Sequence, residues 1–280
     1  MFKLPQNLIN NKLNFILLGV IALLIVGGFF ASRAVIARFS PSEPIKEIDL
    51  SFDPEGPYAL LYPRRDGNAL ILNIKRTASY DQIKYDLVYN ALGIDRAASG
   101  EINTKEKKGE YEQEILFGSC STGGKCVYDE GVENGTLTLH IRRGRQAFRM
   151  ITQWRLQQPD VALGVLTSGD NHLTYNISTN SADLALIKYT IIHDLTGAPK
   201  LPSDKEILGK VYSINTPLAK VLSPGLLTIE LVENPPETGK IARFDESSNS
   251  WILCETETSS NKISASLETG GIFATFVPRT

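Results

Sequence analysis

Two cysteines six positions apart, Cys120 and Cys126, have the spacing for covalent chemistry. The five residues between them, Ser-Thr-Gly-Gly-Lys, are small or polar, so the chain can reverse and bring the Cα atoms to the ~5.5–6 Å that a disulfide prefers. Closing so short a loop contributes about 2.4 kcal/mol in the chain-entropy description. Two reduced thiols in a flexible loop is the competing reading. Zinc is disfavoured, because neither a second cysteine pair nor a His-x-x-x-His spacing accompanies them. Cys254, in Trp251-Ile-Leu-Cys254-Glu, is left over and reads as a buried free thiol, with intermolecular pairing as the alternative.

The second concentration of chemistry is basic. His140-Ile-Arg142-Arg143-Gly-Arg145-Gln-Ala-Phe148-Arg149 places Arg142, Arg143, Arg145 and Arg149 around a hairpin tip. Guanidinium forks bind carboxylate and phosphate bidentately, so these four are the candidate contact for an anionic surface polymer or acidic partner. A solubilising hairpin end is the plainer reading, and Lys105-Glu-Lys107-Lys108 reads as loop.

A catalytic constellation is not evident. His140 falls on the outward face of an alternating strand, and His172 follows the tight turn Gly169-Asp170-Asn171. His193-Asp194 closes a strand and reads as a surface or hairpin pair, since neighbours in sequence do not orient an imidazole as a triad does. Asp129, Glu130 and Glu133 could supply oxygen ligands to calcium, but their spacing fits no calcium loop. Ser119 to Gly124 is Gly-rich without the Gly-Lys-Ser/Thr that a phosphate loop needs. Asn134-Gly-Thr136 and Asn176-Ile-Ser178 match the glycosylation triplet, which is common by chance. No catalytic residue, metal site or cofactor is therefore predicted.

The elements that must position these residues fall into an apolar front and a β-rich body. Phe15 to Ala31 is free of charge, and a helix of that length spans about 26 Å, near the lower limit for a hydrocarbon core. A transmembrane helix at 13–32 is expected, after a short tail at 1–12, and the lipid bilayer is the partner of that segment. A cleaved secretory signal is the alternative, disfavoured because Arg33 separates the apolar run from a small residue at Ala37. Residues 33–57 form a proline-spaced stalk.

Beyond the stalk the dominant period is two: Leu70, Leu72 and Ile74, then Leu137, Leu139 and Ile141, then Ile263, Ala265 and Leu267 each share one strand face. Turn signals such as Asp66-Gly67-Asn68 and Gly270-Gly271 separate the runs. The predicted class is all-β, two immunoglobulin-like sandwich modules in series at 58–158 and 159–280, each long enough for the ~100 residues such a module needs. The polar stretch Gln157-Gln158-Pro159-Asp160 marks the boundary.

A resemblance supports the second module. Gly209-Lys-Val-Tyr212, Pro224-Gly-Leu-Leu-Thr-Ile229, Trp251-Ile-Leu, Ile263-Ser-Ala265-Ser-Leu267 and Gly271-Ile-Phe-Ala274-Thr-Phe276 follow one another in the order of the ZU5-related, immunoglobulin-like modules of bacterial extracellular proteins, which 207–278 resembles. The closing strand departs from the pattern at Thr275, and Ile177-Ser-Thr-Asn-Ser181 stands where those modules carry Ile-Pro-x-Gly. The resemblance implies a structural or adhesive role without catalytic residues.

Charge completes the expectation. The 29 Lys+Arg and 31 Asp+Glu divide into four cations without an anion before residue 41, and 25 cations against 31 anions after it. An acidic body is unsuited to general nucleic-acid binding, whose affinity comes from basic surface. A disulfide in the body places it in an oxidising compartment. The expected protein is a single-pass cell-membrane protein, amino terminus in the cytoplasm and body outside, with a structural, adhesive or binding role toward a protein or surface polymer. An envelope hydrolase with a site assembled from dispersed residues, and a membrane subunit using Gly27-Gly28 as a helix contact, are the alternatives.

Overall fold

The computed structural model describes residues 46–104, 109–158, 164–178, 186–218 and 221–279. The tail at 1–12, the membrane helix at 13–32 and the stalk up to residue 45 lie outside the described residues. Residues 47–280 form one compact unit. Among the described residues it is all-β, with a short 3₁₀ turn at Thr77–Ser79 and no helix long and apolar enough to cross a membrane.

The largest sheet has ten strands. In spatial order they are β17 (Ser250–Leu253), β16 (Lys240–Asp245), β20 (Gly271–Pro278), β14 (Lys205–Asn215), β13 (Tyr189–His193), β10 (Gln146–Gln157), β9 (Asn134–Arg143), β4 (Gln82–Ala91) and β5 (Ile94–Ile102), with β1 (Glu47–Asp49) also on β10. A second sheet runs β11 (Val165–Thr167), β12 (Leu173–Ile177), β15 (Gly225–Glu230), β19 (Lys262–Leu267) and β18 (Glu257–Ser259). A third joins β2 (Tyr58–Pro63), β3 (Ala69–Lys75) and β6 (Glu110–Leu116), and β7 (Gly118–Cys120) with β8 (Cys126–Tyr128) makes a hairpin. Every pairing is antiparallel except β1 with β10.

The large sheet crosses the position where the sequence suggests a division. Trp154 of β10 lies opposite Ile192 of β13, so one ladder joins strands from both sides of residue 158. Two apolar cores result, one on each face of that sheet. On the first face Leu137, Leu139, Met150, Trp154, Ile192, Val211, Ala274 and Phe276 cluster with Leu60, Leu61 and Leu72 of the three-stranded layer. On the second, Tyr189, Ile191, Tyr212, Ile214 and Phe273 cluster with Tyr175, Leu227 and Ile263 of the five-stranded layer. Ile191 and Ile192 are neighbours in the chain and belong to different cores, because successive residues of a strand point to opposite faces. A strand covered on both sides has no polar face to alternate, so β13 reads Tyr-Thr-Ile-Ile-His and is buried throughout.

Aromatic rings fill the first core around Trp154, which stacks on Phe117 at 6.1 Å, while Tyr89 meets Phe117 edge-on at 4.8 Å. The close approach of the indole requires glycine at 135: a Cβ there would sit 2.3 Å from the Val88 carbonyl oxygen and 2.5 Å from Trp154 Cζ2.

Candidate functional site

The ladder of β10 contains a gap, and the gap is a cleft. One edge of β10 pairs with β9 from Gln146 to Arg155. The other pairs with β1 only opposite residues 147–149 and with β13 only opposite residues 153–157. Because β1 runs parallel to β10 and β13 antiparallel, the two approach the gap from opposite ends and both leave the sheet there. Leu50 N donates to the Arg149 carbonyl at 3.0 Å, and the chain then crosses to Thr196, whose carbonyl accepts from Asp53 N at 2.9 Å. On the other side Asp194 turns the chain away with φ 65°, a left-handed conformation that Asp tolerates better than most residues. Residues 47–57, which proline spacing assigns to the stalk, thus help to build the site.

The far wall is β14. Its register with β20 shifts between Leu208 and Tyr212, and Gly209 at the bulge has φ 78°. The cleft is open to solvent and has a volume of about 590 Å³, with Phe52, Ile151 and Val211 among its apolar lining.

Polar groups in this cleft are held in pairs. Arg149 donates from Nε and Nη2 to the two carboxylate oxygens of Asp49 at 2.7 and 2.9 Å. The contact holds the Asp49 carboxyl below its ordinary range and raises the Arg149 guanidinium. Lys210 Nζ donates to Asp170 Oδ2 and Asp194 Oδ2, both at 3.1 Å. Burial works against the Lys210 ammonium, but these carboxylates outweigh it and its pKa is raised. Burial likewise opposes the Asp170 carboxylate, yet hydrogen bonds from Ser168 Oγ, His172 N and Lys210 bring its pKa down. Those bonds confirm a tight turn at Gly169-Asp170-Asn171, with Asn171 at φ 60°.

His193 corrects the sequence reading. It is not at the surface but 4% exposed, because β13 is covered on both faces. Its Nε2 lies 3.1 Å from Gln153 Oε1, which places the proton on Nε2. Burial depresses its pKa despite Asp170 and Asp194 nearby, so the ring is neutral at pH 7. Ser168 Oγ donates to Asp170 rather than toward the imidazole. The set can orient and bind; it does not place a nucleophile against a base.

The other residues singled out by sequence are dispersed. Cys120 and Cys126 form the disulfide, directly opposed on the β7–β8 hairpin. Their Cα atoms are 4.0 Å apart, closer than the loop argument requires, because Ser121 N bonds to Lys125 O and leaves 120 and 126 a non-hydrogen-bonded cross-strand pair. Arg142, Arg143 and Arg145 cap the β9–β10 hairpin, where Gly144 at φ 60° makes the turn. Arg143 sits over the Tyr80 ring at 5.8 Å, whereas Arg149 is drawn away to Asp49. His140 does point outward, and there it is bracketed by Glu47 at 3.0 Å and Asp86 at 3.1 Å. Asp129 accepts from Tyr89 Oη at 2.9 Å and faces Arg96 at 3.6 Å, and no cluster able to hold a metal is found among the described residues. Asn134 and Asn176 are exposed on strands, and Cys254 is half-buried with its thiol pushed up by burial.

Sequence reading missed Asp49, Ile151, Gln153 and Lys210 altogether and took Asp194 for a hairpin end. No protein-family model matches the chain, and neither does any curated protein sequence.

Proposed function

We propose that the chain is a membrane-anchored, extracytoplasmic binding protein. Residues 13–32 attach it to the bilayer, two immunoglobulin-like sandwiches that share the ten-stranded sheet form the body, and the cleft beside β10 receives the ligand. The observation that carries this reading is the cleft itself: about 590 Å³ opened by two strands that leave one sheet edge from opposite ends, lined by Phe52, Ile151 and Val211 together with the charges of Asp49, Arg149, Asp194 and Lys210. The disulfide fits an oxidising compartment, which favours a body outside the cytoplasm. The resemblance of 207–278 to ZU5-related modules agrees with a binding or adhesive role.

A photo-reactive side chain tests it in intact cells. Placed at Ser51, on the exposed rim of the cleft, it should capture the ligand; placed at Glu101 on the remote strand β5, it should not. Equal labelling from both positions removes the cleft as the binding site. Survival of the body when intact cells are treated with protease overturns the topology.

A further inference from the structure

We propose that the occupant of the cleft is an extended, cationic polypeptide segment that completes the edge of β10. This rests on the cleft being the ligand site and goes on to name the chemistry of the ligand.

The first support is the direction of the main chain. In a strand, N–H and C=O of alternate residues point to the same edge. The bond from Leu50 N to Arg149 O shows that the odd-numbered residues of β10 face the β1 and β13 side. Leu156 N bonds the other way, to Glu133 O, as an even residue should. Ile151 therefore aims both its N–H and its C=O into the gap, where β1 ends opposite Arg149 and β13 begins opposite Gln153. A donor and an acceptor presented together along a strand edge match another extended main chain, the recognition used when a peptide adds a strand to a sheet.

The second support is the apolar surface. The Ile151 side chain is 42% exposed within the cleft. Gly209, at the bulge of β14, borders both the cleft and a neighbouring recess of about 320 Å³ that includes Leu208, Leu231 and Val232, the last 93% exposed. The groove thus continues past the ladder gap, as an extended segment with alternating side chains would require.

The third support is charge. Asp49, Asp194 and Glu233 stand along this groove against Arg149 and Lys210, and Asp170 pairs with Lys210 from outside it. Both cations already hold carboxylates, Arg149 with both of its forked donors and Lys210 between two aspartates. An incoming anion would meet cations whose charge is already neutralised, whereas a lysine or arginine side chain meets a surplus of carboxylates.

The test uses the full chain in detergent micelles and fluorescence polarisation of labelled probes. The probe is an acetylated, amidated Lys-Val-Lys-Val-Lys-Val peptide, compared with its Glu-Val counterpart, two versions N-methylated on alternate amides, and a chitohexaose. The Lys peptide should saturate, and one of the two methylated versions should lose about ten-fold, the effect of removing paired main-chain hydrogen bonds. Glu233→Gln and Asp194→Asn should each weaken the Lys peptide several-fold and lower its salt dependence, and Ser51→Trp should abolish binding. Far-UV circular dichroism identifies a variant that has merely unfolded, and Glu233→Gln, being exposed, preserves the test if Asp194→Asn does not fold. The proposal is overturned if the Glu peptide binds as tightly, if neither methylation matters, if Ser51→Trp leaves binding intact, or if the Lys peptide fails to saturate by about 1 mM. Saturable binding of the oligosaccharide instead, lost in Ser51→Trp, overturns the peptide while leaving the cleft as the ligand site.

Discussion

Ile191→Ala tests whether the two cores behave as one cooperative unit. Ile191 is 0% exposed and belongs wholly to the core under the five-stranded layer. Both tryptophans, Trp154 and Trp251, lie in or against the other core, so tryptophan fluorescence reports only on the side that the mutation does not touch. Truncating a buried isoleucine to alanine costs about 2–5 kcal/mol, the transfer of the lost carbons plus the cavity they leave. With a urea slope of about 3 kcal/mol/M for a unit of this size, a loss near 3 kcal/mol moves the midpoint down by about 1 M. If β13, β14 and β20 bind the cores together, the fluorescence transition should move by that amount. Ile192→Ala, one residue along and in the fluorescent core, should move it similarly. Two sandwiches folding separately give a different result: the fluorescence midpoint of Ile191→Ala stays at the wild-type value while only far-UV circular dichroism shifts. That outcome would refute the shared-sheet reasoning.

Three further outcomes follow from particular contacts. Gly135→Ala forces a methyl against the Val88 carbonyl oxygen, a backbone atom that cannot rotate aside, and should cost about 1–3 kcal/mol, measured as a lower thermal midpoint; an unchanged midpoint contradicts the packing around Trp154. Replacing Cys120 and Cys126 by serine should destabilise by about 2 kcal/mol in urea titration, and a reduced wild-type chain should match the double variant. Because burial lowers the His193 pKa below its unfolded value near 6.5, the unfolded state binds more protons between the two values, and the stability that neutral His193 contributes above about 6.5 is lost as the pH falls from there through its depressed folded-state value. His193→Gln should flatten that part of the stability profile, and an identical slope in the variant would assign the acid sensitivity to other groups.

How much of this was legible in sequence depends on what each strand faces. Leu137, Leu139 and Ile141 alternate with polar residues because β9 has solvent on one side, so period two reads directly. Strand β5, Ile94–Ile102, escapes such a reading: it is an exposed edge of Asp, Arg, Ala, Ser and Gly that becomes a strand by pairing with β4. The expectation of modules in series follows naturally from short strands and a polar stretch near 158. The contrary signal was the run Tyr189-Thr-Ile-Ile-His193, which has no polar face and therefore demands cover on both sides. The disulfide was legible because six residues of separation constrain the chain whatever surrounds it.

The cleft was illegible for a reason specific to sheets. Arg142, Arg143, Arg145 and Arg149 look like one patch when counted along the chain. Strand alternation puts Arg143 on the face opposite Arg142, and a three-residue parallel strand about 100 positions upstream takes Arg149. Charge in such a protein is organised across strands instead. Lys84 of β4 lies opposite His140 of β9, His140 opposite Arg149 of β10, and Arg149 opposite Asp49 of β1, a single row running to the mouth of the cleft. Register fixes that row, and register is set by which apolar face each strand buries. The site residues are thus chosen by the core beneath them, and β1, which buries no face, depends on the pairs Asp49–Arg149 and Glu47–His140 together with three residues of ladder. Breaking those pairs should loosen one wall of the cleft without disturbing either core.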